Sequence, residues 1–400
     1  MRPMQLALIS LVLHGWIAWR LVPALGAPWS WALVAIVVLS AITAPLGVGM
    51  RRAMGRGPLL RAASRIGLIA IGLFSSLLVL TLLRDLALLA VAGGAWAGLF
   101  AAGTPAAFAA ISAPVVAAAA LLITAWGFVN ARRTAAVRRV DVPIAGLPQA
   151  LQGFRIVQLS DVHVGPTIRR PYVERVVAAV NTLDADLVAI TGDLVDGSVG
   201  ELAPHVAPLA ALRSREGTFF VTGNHEYYSG ATAWVAELRR LGLTVLANQH
   251  VAIRRGDATL VLGGVNDYSA GHFDRAGASD PVKALAGSPP GAVRVLLAHQ
   301  PRSAEAAEAA GFDLQLSGHT HGGQFLPWNL LVRLQQPFTA GLERWRRMWV
   351  YTSRGTGYWG PPKRFGAPSE ITLLRLVAAP AATPASKARA PRAAPAASGV

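Results

Sequence analysis

The sequence predicts an α/β layered domain carried behind an all-α membrane region. Three observations support this. The first 130 residues hold four apolar runs of about the 20 residues a helix needs to cross a bilayer. From about residue 141 to 377, short apolar runs alternate with helix-patterned ones, which indicates strands layered with helices. Five of the short runs end in Asp, His or Asn, at the strand ends where α/β sites assemble.

The apolar runs cover about residues 4–22, 29–50, 66–89 and 105–129. The third continues past Arg84 and Asp85 to about residue 101. Two spans would have to reverse at that pair without a polar loop. One long tilted helix is expected instead, its Arg–Asp pair snorkelling or facing other helices. His14, in the first run, reads as a helix-face residue without chemistry. Ala24-Leu25-Gly26 resembles a signal-peptide cleavage site, but three further spans favour a retained first helix.

The chain carries 37 Lys plus Arg against 21 Asp plus Glu, a formal charge of +16. Residues 1–140 hold 12 Arg and one acid, so most of the excess belongs to the apolar third. A nucleic-acid-binding protein would put that charge on its folded domain, so no nucleic-acid partner is expected. The arginines instead frame the spans: Arg51, Arg52, Arg56, Arg61 and Arg65 in one loop, and Arg132, Arg133, Arg138 and Arg139 after the fourth span. Arg2 falls on the same side, so the N-terminus, that loop and everything after about residue 130 are expected in the cytoplasm of a multi-pass inner-membrane protein. The absence of cysteine excludes disulfides, Cys-ligated metals and a thiol nucleophile.

Domain boundaries follow from these shifts: a transmembrane region at 1–130, a basic juxtamembrane linker at 131–149, a catalytic domain at 150–377 and a disordered Ala/Pro-rich tail at 378–400. Within the catalytic domain, strands are expected at 154–159, 186–190, 218–221, 260–264, 293–298, 313–316, 348–352 and 370–376. Helices are expected at 170–183, 231–241 and 301–310.

The strand ends carry the chemistry. They run into Asp161-Val162-His163, Gly192-Asp193-Leu-Val-Asp196, Gly223-Asn224-His225-Glu226, His299, and Gly318-His319-Thr320-His321. In extended chain residues i and i+2 face one way, so Asp161 with His163, and His319 with His321, can share a cleft. The glycines at 192, 223 and 318 allow a sharp turn before each ligand. All donors are N or O, which suits Mn, Fe, Zn, Co or Ni. Seven candidate ligands are too many for one tetrahedral ion and fit two ions sharing a carboxylate.

In order and spacing these motifs resemble the calcineurin-like metallophosphoesterases, whose D-x-H, G-D-x-x-D, G-N-H-[DE], isolated His and G-H-x-H elements are all present. The stretches Gly318-His-Thr-His-Gly-Gly-Gln324 and Ser353-Arg-Gly-Thr-Gly-Tyr-Trp-Gly-Pro-Pro362 resemble the membrane-anchored bacterial branch. The resemblance implies a four-layer α/β/β/α sandwich and two divalent metal ions, with Mn the leading choice. It implies one ion on Asp161, His163 and His321, the other on Asn224, His299 and His319, and Asp193 bridging. It also implies that His225 is the proton donor to the leaving group and that Glu226 orients or charge-tunes that histidine. Asp196 would support the site through hydrogen bonds.

A metal-bridging hydroxide would then cleave a phosphodiester or pyrophosphate. Some members of the family act on UDP-diacylglucosamine, so a phosphorylated or nucleotide-linked lipid at the bilayer is the expected substrate. The alternatives are a broad phosphodiesterase or phosphomonoesterase on phospholipids, nucleotides or phosphoproteins, and a membrane scaffold or sensor with a secondary catalytic domain. Arg354 and Gln324 are candidates to contact substrate, a structural salt bridge being the other reading of Arg354. Residues 325–347 mix apolar and basic side chains, either as an interfacial segment or as a core-packing insertion.

Overall fold

The computed structural model describes residues 3–48 and 57–380. Arg2, Arg51, Arg52, Arg56 and most of the predicted tail lie outside them.

Four helices come first: α1 (Pro3–Leu21), α2 (Trp29–Val48), α3 (Pro58–Trp96) and α4 (Thr104–Arg132). Each is long and apolar enough to cross a membrane. The third run is indeed one helix of 39 residues, unbroken at Arg84 and Asp85. Its ionic pair faces other helices. Arg84 Nε donates to Ser112 Oγ and Nη2 to the Ala109 carbonyl, both at 2.9 Å, while Asp85 accepts from Arg20 Nε at 2.9 Å. His14 is not a bare face residue but a link between helices: Nε2 lies 2.8 Å from Ser40 Oγ, and its ring stacks on Phe74 at 4.3 Å. In an apolar bundle such partners offset the cost of burying a polar group. Helices α2 and α3 cross closely, because a Cβ on Gly67 would lie 2.0 Å from the Thr43 carbonyl oxygen.

The rest of the chain builds two six-stranded sheets. In order it contains β1 (Ala136–Ile144), β2 (Arg155–Leu159), α5 (Arg170–Asn181), β3 (Leu187–Ile190), α6 (Val199–Val206), β4 (Thr218–Phe220), α7 (Asn224–Ser229) and α8 (Ala231–Arg240). There follow β5 (Thr244–Val245), β6 (Gln249–Arg255), β7 (Ala258–Gly264), α9 (Pro281–Leu285), β8 (Val293–Leu297), α10 (Ala304–Ala310) and β9 (Leu314–Ser317). Last come α11 (Asn329–Val332), β10 (Gly341–Trp345), β11 (Met348–Thr352) and β12 (Glu370–Ala378). One sheet has the order β1-β12-β2-β3-β4-β5, the other β10-β11-β9-β8-β7-β6.

Side-chain alternation fixes the layers. Val157, Leu159, Val188 and Ile190 face outward onto Val173, Val177 and Val180 of α5, Leu202 of α6 and Trp234 of α8. Their strand neighbours Ile156, Leu187 and Ala189 face Leu260, Leu262, Val295, Leu314 and Leu316 of the second sheet. The far face of that sheet packs Leu296 and Val350 on Ala284 of α9 and Ala304 and Ala307 of α10. This is the expected α/β/β/α sandwich.

The basic linker expected at 131–149 is a correction. Residues 136–144 are β1, paired in parallel with β12 from Ala136↔Glu370 to Ile144↔Ala378. Val142 and Ile144 are buried, while Arg138 and Arg139, on opposite faces of an edge strand, are both exposed, where charge deters pairing with other chains. β12 likewise runs to Ala378, past the expected end of the domain.

Candidate metal centre

Every predicted ligand follows the carboxyl end of a parallel strand. Asp161 and His163 follow β2, Asp193 follows β3 and Asn224 follows β4 in one sheet; His299 follows β8 and His319 and His321 follow β9 in the other. The two sheets therefore deliver their ligands to one end of the sandwich. Asp161, His163 and His321 place ligand atoms within 4.8 Å of one another, as do Asp193, His299 and His319. Between the imidazole nitrogens, His163 Nε2 and His321 Nε2 are 3.0 Å apart and His319 Nδ1 and His299 Nε2 are 3.2 Å apart. Asp193 Oδ2 lies 3.2 Å from His299 Nε2 and 3.8 Å from His163 Nε2, between the two groups.

The ligand loops are not extended, which corrects the i, i+2 argument. Asp161, His163, Asp193, His319 and His321 all have φ between 51° and 69°. Left-handed backbone at a residue with a side chain costs about 1 kcal/mol or more and persists only where its surroundings impose it. Here they do: Asp161 N–H donates to the Gly192 carbonyl at 3.0 Å, His163 N–H to Asp193 O at 3.1 Å, and Gly357 N–H to Asp161 O at 3.0 Å. His319 N–H donates to both Asp161 oxygens at 3.0 Å, joining the loops of the two sheets.

Of the three glycines, Gly192 alone has a positive φ, at 86°. Gly223 and Gly318 serve close approach instead. A Cβ on Gly223 would fall 2.2 Å from Asp193 Oδ1, and one on Gly318 would fall 1.9 Å from Ser160 Oγ and 2.1 Å from Asp161 Oδ2.

The buried acids and imidazoles of the centre shift one another's ionisation. His299 Nδ1 lies 2.7 Å from the Thr191 carbonyl, which can only accept, so Nε2 is left facing the centre. Burial opposes ionisation of Asp193, but the charges of His299, His225 and His163 hold it well below the usual carboxylate range. Burial lowers His319 to about 3 with the charge of His299 adding, and burial with the Arg364 guanidinium holds His321 well below its ordinary value. Asp193 is thus held anionic and His319 and His321 neutral, the forms that bind metal, whereas burial opposes ionisation of His163 and His299 but the charges of Asp196 and Asp193 raise them above the ordinary value. Asn224 Oδ1 is buried with no hydrogen-bond partner among the described residues. A buried carbonyl oxygen without a donor costs roughly 1–3 kcal/mol, a cost a divalent ion would remove. The donor set and this orphaned oxygen both fit divalent metal.

Asp196 supports the site through hydrogen bonds as expected, while Glu226 is bound to the backbone beside it. Glu226 is fully buried and accepts from the backbone N–H groups of Gly223 (2.6 Å), Leu194 (2.8 Å), Asp193 (3.0 Å) and Val195 (3.3 Å). It fixes the loop that carries Asp193. His225 is oriented by Asp196, whose Oδ1 accepts from His225 Nδ1 while Oδ2 lies 3.2 Å from His163 Nδ1. His225 Nε2 is 3.9 Å from Asp193 Oδ2, so the ring borders the centre.

Arg354 takes the structural reading: its guanidinium pairs with Glu370 at 3.1 Å. Gln324 holds the loop after β11, donating to the Trp359 and Pro361 carbonyls and accepting from Trp359 N–H. Sequence reasoning missed Arg364, which is buried, donates to the His321 carbonyl at 2.9 Å and has Nη2 3.0 Å from His321 Nδ1. The segment 325–347 divides. Leu330 and Leu334 are 72% and 80% exposed, whereas Phe338 is buried against Met348 and Arg347 pairs with Glu308 at 2.9 Å.

A two-sheet α/β sandwich with a clustered Asp/His/Asn centre, joined to four apolar helices, defines the class. Residues 154–323 match the calcineurin-like phosphoesterase family. A bovine "Transmembrane protein with metallophosphoesterase domain" is 44% identical over 271 residues, covering 65% of this chain and 61% of that protein. An "Uncharacterized metallophosphoesterase" of Helicobacter pylori is 42% identical over 226 residues, covering 56% of this chain and 60% of its own length. A third relative, from Aquifex aeolicus and also described as an uncharacterized metallophosphoesterase, is 31% identical over 243 residues, covering 60% of this chain and 91% of its own length. The chain belongs to the calcineurin-like metallophosphoesterase family. It spans about three fifths of the bovine and Helicobacter proteins.

Proposed function

We propose that the protein is a membrane-anchored, dinuclear-metal hydrolase of phosphodiester or pyrophosphate bonds, acting on a lipid-linked substrate at the cytoplasmic face of the inner membrane. The observation that carries this reading is the pair of ligand clusters with Asp193 between them. Asp161, His163 and His321 would hold one ion, Asn224, His299 and His319 the other, and Asp193 both. When bound, the ions supply a nucleophilic hydroxide at neutral pH and neutralise charge on the phosphoryl oxygens. His225 would protonate the departing oxygen, its Nδ1–H held by Asp196 so that Nε2 presents the proton.

The lipid reading rests on the position of the exposed leucines. Trp328 Nε1 donates to Ser75 Oγ of α3 at 2.7 Å, so the segment bearing Leu326, Leu330, Leu331 and Leu334 lies against a membrane helix. Ser75 lies within the apolar stretch of α3 that runs from Ala62 to Trp96, so those leucines stand beside a candidate membrane span. Trp359, about half exposed, reaches from the same side to within 5.7 Å of the His225 ring. The cytoplasmic assignment rests on the arginines around the spans.

Purified full-length protein with Mn²⁺ should hydrolyse an aryl phosphodiester. It should also hydrolyse UDP-diacylglucosamine or another diphosphate-linked lipid presented in vesicles. Turnover of the aryl ester alone would leave the broad-specificity reading, and turnover of neither would refute the proposal.

A further inference from the structure

Two basic side chains outside the ligand set are almost wholly buried: Lys363 at 2% exposure and Arg364 at 1%. Neither is hydrogen-bonded to a carboxylate among the described residues; oxygens of the backbone and of one serine take their protons. Arg364 faces the metal centre. Besides its contacts to His321, Nη1 donates to the carbonyls of Arg354 (2.7 Å) and Ala367 (3.2 Å), and Nε to that of Gly357 (3.1 Å). Its backbone faces the membrane region: N–H donates to the Gly127 carbonyl of α4 at 2.9 Å, and the carbonyl accepts from Asn130 Nδ2 at 3.4 Å.

Lys363 completes the link. Its Nζ donates to the Gly72 carbonyl of α3 at 2.9 Å and to Ser76 Oγ, and sits 4.9 Å above the Phe325 ring. Gly127 makes room for it, since a Cβ there would fall 2.7 Å from Lys363 Cγ. Burial lowers the Lys363 ammonium to about 8. A methionine of similar length would fill the space without that desolvation cost, so the amine acts through what it binds. What it binds is the backbone of a membrane helix.

We infer that Lys363 and Arg364 are positioning residues that tie the ligand His321 to membrane helices α3 and α4, so that metal affinity depends on how those helices pack. The inference rests on the metal centre proposed above. His321 holds a left-handed φ of 52°, and the guanidinium donates to its carbonyl at 2.9 Å while bordering its ring. Loosening either contact frees the ligand to relax away from the cleft. A soluble piece beginning at residue 141 would cut β1 and remove both helix anchors.

The test uses full-length protein in lipid nanodiscs, with Mn²⁺ binding measured by equilibrium dialysis and folding followed in parallel by circular dichroism. Lys363→Met should weaken the binding of one ion about tenfold, in the range for residues that support metal ligands, with the folded signal retained. Lys363→Arg, which keeps a donor, should recover most of that loss. Gly127→Val, which displaces Lys363 from within α4, should reproduce the Lys363→Met effect and covers the case where that variant fails to fold. Wild-type affinity in Lys363→Met and in Gly127→Val would overturn the inference while leaving the proposed function standing. No Mn²⁺ bound by the unsubstituted chain would overturn both.

Discussion

Asp196 accepts a hydrogen bond from His225 Nδ1 through one oxygen and approaches His163 Nδ1 at 3.2 Å through the other. One carboxylate thus orients both the proposed proton donor and a proposed ligand. Asp196→Asn should lower turnover of an aryl phosphodiester about 10–100-fold. The loss should be larger for an alkyl leaving group, which needs the proton, than for nitrophenolate, which does not. Equal losses for both leaving groups would detach His225 from proton transfer.

Glu226 works through the backbone. Glu226→Gln turns one of two acceptor oxygens into an amide donor facing backbone N–H groups in a fully buried position, costing about 2 kcal/mol and lowering the thermal midpoint by several degrees. An unchanged midpoint with reduced turnover would instead make Glu226 a partner in the chemistry.

Gly318→Ala should abolish metal loading, because its Cβ would collide with Ser160 and with the carboxylate of Asp161. Metal content of the purified variant, measured by mass spectrometry, checks this. Full loading would mean that the Gly318 loop yields to the added carbon.

Leu330→Asp with Leu334→Asp places two charges on the exposed apolar segment. Turnover of a vesicle-borne diphosphate lipid should fall at least about tenfold, and turnover of a soluble aryl ester should hold. Equal rates on the vesicle substrate would separate this face from lipid.

The interior of this fold was legible in its residues and its margins were not. Eight strands were expected and all eight exist, within a few residues of their predicted ends. The four that escaped, β1, β5, β6 and β10, are the four sheet edges. An edge strand buries one side at most, so Gln249–Arg255 and Ala136–Ile144 carry arginines where an interior strand carries valine and leucine. The ligands were legible because each closes an apolar run. Arg364 was not, since a lone arginine in a Pro- and Gly-rich loop shows no periodicity, and its partners lie over 40 residues away at His321 and over 200 away at Gly127. Glu226 and Asp196 were found, but which of them faces His225 depends on the tight turn at Gly192 and Asp193, with φ of 86° and 51°.

The central claim is that one chain holds two divalent ions with Asp193 between them. Metal content per chain, determined on full-length protein and on its Asp193→Asn variant after loading and dialysis, tests it most directly. The account predicts two ions per unsubstituted chain, and loss of metal together with phosphodiester turnover in the variant. A substoichiometric metal content in the unsubstituted chain, or an Asp193→Asn variant that keeps both ions and its activity, would contradict it.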